Sequence, residues 1–88
     1  MYCGMEAQNL KKEILYRGTR RGIKELDIVF NRYIPNKLDS LSVEDLKSLA
    51  HIVRQTDLDL LDWLGKRQAP EHIDPVIFNQ LVDELHRS

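Results

Sequence analysis

An all-helical single domain, one small bundle of about five short helices, is the fold class that this 88-residue chain predicts. Three observations lead there. The apolar residues recur every three or four positions, they nowhere alternate over a strand length between turn signals, and helix-starting residues precede the later apolar runs.

The first helix is expected from about Glu6 to Arg17, with Leu10, Ile14 and Leu15 along one stripe and Gly18-Thr19 as stop and restart. A second, about Arg20 to Tyr33, carries Ile23, Leu26, Phe30 and Tyr33 on its inner face and is expected to close at Pro35, because proline disfavours helical backbone before it. Residues 36–40 read as a loop. Ser42 then caps the amide of Asp45 and opens a third helix to about Gln55, its core face made by Leu46, Leu49, Ala50 and Val53. Thr56 or Asp57 caps a fourth, ending near Leu64 with Gly65 as its stop. Leu58, Leu61 and Leu64 mark its core stripe, and Leu60 with Trp63 widens the stripe enough to place this helix at the centre of the fold. After a linker containing Pro70, Asp74-Pro75 is an N-cap and N1 pairing for a last helix with Ile77, Leu81 and Leu85 facing inward, and Arg87 suits its C-terminus. Residues 1–6 are expected to form a flexible tail.

With 42% hydrophobic and 31% charged residues the chain has enough apolar material for one core. Thirteen basic against fourteen acidic side chains leave a net charge of -1, which offers little long-range attraction to DNA or to a bilayer surface. No apolar run of about 18 residues is present, and Met1 to Gln8 lacks the basic and apolar regions of a secretory signal. An intracellular protein without direct membrane insertion is expected, in the bacterial cytoplasm, or in the mitochondrial matrix for a processed form.

Candidate chemistry is sparse. Cys3, the one cysteine, lies beside Gly4 near the terminus and has no second thiol for a disulfide or a structural zinc site. His51, His72 and His86 lack the spacing of a metal-binding pair, so no metal site is expected. The acids of Asp57-Leu58-Asp59-Leu60-Leu61-Asp62 lack the Gly and Glu positions of an EF-hand and read as caps and solvent-facing groups. No nucleophile, base and orienting group stand out as a set, so no catalytic residue is assigned. Lys11, Lys12, Arg17, Arg20, Arg21 and Lys24 form a basic cluster, but no helix combines Arg, Asn and Gln on one exposed face to read bases, and a solvated charged face is the simpler reading.

Arg21 and Glu25 are one helical turn apart, which puts both on one exposed face where an i, i+4 ion pair adds a few tenths of a kcal/mol. Gly22 between them costs about 1 kcal/mol relative to alanine inside a helix. Two readings stay open for it: close approach of another backbone, or the loose start of the second helix.

Arg20-Arg21-Gly22-Ile23-Lys24-Glu25-Leu26-Asp27 resembles the Arg-Arg-Gly-x-x-Glu-Leu-Asp signature of the SdhE family of flavinylation factors. Leu41-Ser42, the segment Asp57-Leu58-Asp59-Leu60-Leu61-Asp62-Trp63-Leu64 and Pro70 are similar to that family's pattern in the same order, so the likeness covers about Leu10 to Leu85. Tyr16-Arg17-Gly18-Thr19 departs from it through an extra glycine, expected to loosen the first turn.

The resemblance implies a helical assembly factor, not an enzyme, that binds the flavoprotein subunit of succinate dehydrogenase, and in some members fumarate reductase, and promotes covalent attachment of FAD to a histidine of that subunit. It implies that Arg21, Gly22 and Glu25 are the central partner contacts, with Arg20 and Asp27 beside them. Trp63 and Leu64 are structural on this reading. FAD would act through the partner, none being held tightly by this chain. An antitoxin-like protein that sequesters a toxin or membrane-associated partner is the alternative.

Overall fold

The computed structural model describes the backbone of residues 2–86 and the side chains of residues 6–86. Five helices follow in order: α1 (Tyr2–Gly18), α2 (Lys24–Lys37), α3 (Val43–Val53), α4 (Asp57–Lys66) and α5 (Pro75–Leu85), with a 3-10 turn at Leu38–Ser40 after α2. Among the described residues there is no strand. The side chain of Cys3, residue 87 and part of the expected 1–6 tail lie outside the described residues, while the backbone of α1 is helical from Tyr2.

The later helices begin where the capping residues place them. The amide of Asp45 donates to Ser42 Oγ at 3.2 Å, that of Asp59 to Thr56 Oγ1 at 3.3 Å, and that of Val76 to Asp74 Oδ1 at 2.8 Å, with Pro75 in the first turn. Thr56 is thus the cap of α4, and Asp57 is the first residue inside it.

Besides the earlier start of α1, three boundaries differ from the expectation. The second helix begins at Lys24 instead of Arg20, so Arg20 to Ile23 belong to the connection from α1. Pro35 does not end that helix: α2 runs on to Lys37, and the amide of Leu38 still donates to Ile34 O. Ile34 is fully buried and Leu38 nearly so, and packing on either side of the solvent-facing proline outweighs its local preference. Gly65 does not stop α4 either. The helix ends two residues later in a Schellman arrangement, with Gln68 N donating to Trp63 O, Arg67 N donating to Leu64 O, and Arg67 in the left-handed region at φ 61°.

One hydrophobic core draws residues from every helix. Its centre is α2, which buries Leu26, Val29, Phe30, Tyr33 and Ile34 and packs on α1, α4 and α5, while α1 lies along α3. The sequence-based placement of α4 at the centre is therefore corrected. That helix buries Leu60 and Leu64 only, Leu61 and Trp63 are half-buried, and Leu58 is 76% exposed because it follows Asp57 on the outer side of the first turn. Leu15 is likewise exposed, and of the expected stripe of α1 Ile14 is the residue that is fully buried. The buried Tyr33 hydroxyl donates to Gln80 Oε1 at 2.5 Å, tying α2 to α5, and burial, aided by Asp45 and Asp74, pushes its pKa up to about 12.

Gly18 ends α1 where that helix meets its neighbours. A Cβ there would overlap Ile34 Cδ1 and fall 3.6 Å from Val53 Cγ1, so any side chain would have to displace the buried end of Ile34. At Gly65, in contrast, a Cβ would meet nothing within 4 Å. Gly65→Ala is expected to stabilise the fold by about 0.5–1 kcal/mol through helix propensity, whereas Gly18→Ala is expected to destabilise it by about 1–3 kcal/mol through overpacking. Thermal denaturation followed by circular dichroism should show melting points moving in opposite directions.

Candidate functional site

The Arg-Gly-x-x-Glu segment forms the bend between α1 and α2. At its start the Thr19 hydroxyl and amide both donate to the carbonyl of Leu15, closing α1. At its end Ile23 caps α2 with extended backbone and no side-chain hydrogen bond. Asp27, in the first turn of α2, turns back to the bend instead, and its Oδ1 accepts the amide of Arg21 at 3.1 Å.

Arg21 points inward, and its side chain is only 7% exposed. Nε donates to Asp57 Oδ1 at 2.7 Å, and Nη2 lies 2.6 Å from the same oxygen. Nη1 donates to Val53 O at 2.7 Å and to Arg17 O at 3.2 Å, and Nη2 donates to Gln55 O at 2.8 Å. The carbonyls of Val53 and Gln55 stand at the end of α3, where acceptors lack intrahelical partners and the helix dipole favours a cation. Phe30 lies under the guanidinium, with its ring centre 5.6 Å from Cζ. One side chain thus joins the end of α1, the end of α3 and the start of α4.

Asp57 completes the brace. Its second oxygen, Oδ2, accepts the Gly22 amide at 2.9 Å, so a single carboxylate holds both the arginine side chain and the next backbone amide. A Cβ on Gly22 would stand 3.2 Å from Oδ2. The close approach that Gly22 permits therefore includes one within the chain, to Asp57, and the glycine lies before the helix, where it carries no helix-interior penalty.

The expected Arg21–Glu25 pair on a shared exposed face is not formed. One-turn spacing brings side chains together only when both residues are helical, and Arg21 precedes α2. Glu25 is exposed in the first turn of α2 and makes no ion pair among the described residues. Arg20 and Gly22 are also exposed, and the Arg20 guanidinium lies over the Tyr16 ring, 4.7 Å from its centre. The five motif positions therefore divide: Arg20, Gly22 and Glu25 face outward, while Arg21 and Asp27 fasten the bend from inside.

A second clamp lies alongside. Glu13 of α1 accepts two hydrogen bonds of 2.6 Å from Arg54, just past α3, and one of 3.0 Å from Arg17. The Arg54 bonds, offset partly by burial and helped by the charges of both arginines, hold the Glu13 carboxyl below its ordinary pKa of 4.5 and raise that of Arg54.

The histidines are less scattered than their spacing suggests. His51 Nε2 lies 3.0 Å from His72 Nδ1, linking α3 to the connection between α4 and α5, with the Trp63 ring edge-on to His72. Among the described residues no three His, Cys, Asp or Glu groups gather as metal ligands, and no helix is long and apolar enough to cross a membrane.

Fold and site together define a small helical bundle that presents an internally braced bend on its surface. The model of the Sdh5 family, described as the flavinator of succinate dehydrogenase, matches residues 12–87. The chain is 32% identical over 75 residues to the FAD assembly factor SdhE of Acinetobacter baylyi, covering 85% of this chain and 84% of that protein. It is 35% identical over 63 residues to the FAD assembly factor SdhE of Legionella pneumophila strain Lens, covering 72% and 80%. With the mitochondrial succinate dehydrogenase assembly factor 2 of Schizosaccharomyces japonicus it shares 36% identity over 64 residues, 72% of this chain but 45% of that longer protein. No solved structure matches the chain. The chain belongs to the Sdh5 family of succinate dehydrogenase flavinators.

Arg21→Lys is expected to cost about 3 kcal/mol of folding stability, since an ammonium cannot reproduce the fork that meets Asp57 and three carbonyls at once. Urea denaturation measures this directly. For Glu13→Gln the sign of the pH dependence is fixed by the lowered pKa. The stabilisation from ionised Glu13 is fully present above 4.5 and is lost as pH falls through the depressed folded value. The gap between wild-type and Glu13→Gln urea midpoints should therefore be full near pH 7 and narrow in acid below the usual carboxylate range.

Proposed function

We propose that this chain is an assembly factor that binds the flavoprotein subunit of succinate dehydrogenase and promotes covalent attachment of FAD to it. Family membership across residues 12–87 is the observation that carries this reading. The braced bend supports it with a surface suited to the task. Fixed from inside by Arg21 and Asp57, the bend can present Arg20, Gly22 and Glu25 without ordering a loop at the moment of binding.

The chain acts as a chaperone without an active site of its own. Docked on an immature flavoprotein, it stabilises the arrangement in which the flavin and the acceptor histidine, both held by the partner, meet in reactive geometry. Orientation of this kind can lower a barrier by several kcal/mol without any donated catalytic group. Arg20 and Glu25 contribute charged contacts, Gly22 allows close approach, and Arg21 and Asp27 hold these three in place. FAD is bound through the partner and not tightly by this chain. Fumarate reductase, whose flavoprotein carries out related chemistry, is a second client on this reading, and the bacterial cytoplasm or the mitochondrial matrix is the compartment. The relatives named above give no support to the antitoxin alternative.

Cells lacking the protein should lose covalent flavin on the succinate dehydrogenase flavoprotein, seen as in-gel fluorescence after denaturation. Wild type should restore it and Glu25→Ala should restore less than about a tenth, the loss expected when a central interface contact is removed. Undiminished flavin in the absence of the protein would sink the proposal.

A further inference from the structure

Beside the braced bend lies a basic concavity, a pocket of about 380 Å³ between the end of α1, the bend and the α3–α4 junction. Arg17, Arg20, Arg21 and Arg54 line it together with Tyr16. Arg21 is spent internally: its donors go to Asp57 and to backbone carbonyls. The other three are only partly engaged. Arg17 uses Nε on Glu13, and Arg54 uses Nε and Nη2 on the same carboxylate. This leaves both terminal nitrogens of Arg17 and the Nη1 of Arg54 without an acceptor among the described residues.

Arg20 is the most available of the set. Its guanidinium rests on the Tyr16 ring and makes no hydrogen bond or ion pair among the described residues. Stacking occupies the face of a guanidinium and leaves the N–H groups in its plane free to donate. Four arginines around the pocket face two carboxylates, Asp57 and Glu13, the latter shared by Arg17 and Arg54, so the pocket keeps an excess of two positive charges.

We infer that this pocket is a docking site for an acidic side chain of the partner flavoprotein, held by Arg20 with Arg17 and Arg54 around it. The inference rests on the proposed function and names a chemical feature of the partner surface. A planar carboxylate matches the fork of a guanidinium, and the excess positive charge of the pocket attracts an acidic group. Tyr16, 65% exposed, supplies an aromatic wall, and Tyr and Arg are among the side chains that most often anchor a protein interface. The pocket also borders Gly22 through Asp57, making one continuous surface with the exposed motif residues.

The test is binding of the purified flavoprotein subunit, loaded with FAD but not covalently flavinylated, to wild type, Arg20→Glu, Arg20→Gln, Tyr16→Ala and Lys66→Glu at low and high salt. Lys66 lies at the opposite end of α4 and serves as a charge-matched control. Arg20→Glu should weaken binding by about tenfold or more and Arg20→Gln by less, while Lys66→Glu stays within about twofold. The salt dependence of binding should flatten in both Arg20 variants, a change that a purely structural role would not produce. Tyr16→Ala should give an intermediate loss. Equal melting temperatures for wild type and Arg20→Glu would assign the loss to the interface. Binding of Arg20→Glu within about twofold of wild type, with unchanged salt dependence, would overturn the pocket assignment and leave the assembly function standing. Failure of wild type itself to bind the flavoprotein would overturn both.

Discussion

A buried guanidinium needs partners in several directions at once, and that requirement organises this molecule. Arg21 is placed on a short connection between two helices, yet its side chain reaches the end of a third and the first residue of a fourth. Leaving such a charge unpaired in the interior costs several kcal/mol, so Asp57, the open carbonyls of α3 and the Phe30 ring are each part of the same solution. A point charge could satisfy one of these contacts. Only a planar, multi-donor head satisfies them together.

The brace separates two duties within one motif. Arg21 and Asp27 fix the backbone of the bend, and Arg20, Gly22 and Glu25 take their exposed positions from it. A bend held this way would lose little conformational freedom on binding. The Glu13 clamp to Arg17 and Arg54 extends the same logic. It fixes two arginine stems at the rim of the neighbouring pocket while leaving some of their donors open.

Much of the fold was legible because capping is local chemistry. Ser42, Thr56 and Asp74 open their helices as their side chains require, and the buried stripes of α3 and α5 follow the helical period. Pro35 misled because its local preference is weaker than the burial of Ile34 and Leu38, and Gly65 misled because the exposed end of α4 tolerates a left-handed arginine two residues further on. At the site, the motif and the Asp57-Leu58-Asp59 segment are each legible in the sequence, but their pairing is not. Asp57 read as a helix cap because its partner is 36 residues away in sequence, a distance across which periodicity carries no information. The meeting of His51 and His72 was hidden in the same way by the fold-back of the α4–α5 connection.

Unfolding free energies of wild type, Arg21→Ala, Asp57→Ala and the double variant form a cycle that isolates the brace from the rest of the fold. A coupling energy above about 1 kcal/mol, the double variant being little worse than either single one, is expected if Arg21 and Asp57 act as one unit. Additive losses, with coupling near zero, would mean that the bend is held by other contacts and that the motif arginine is free for a different role.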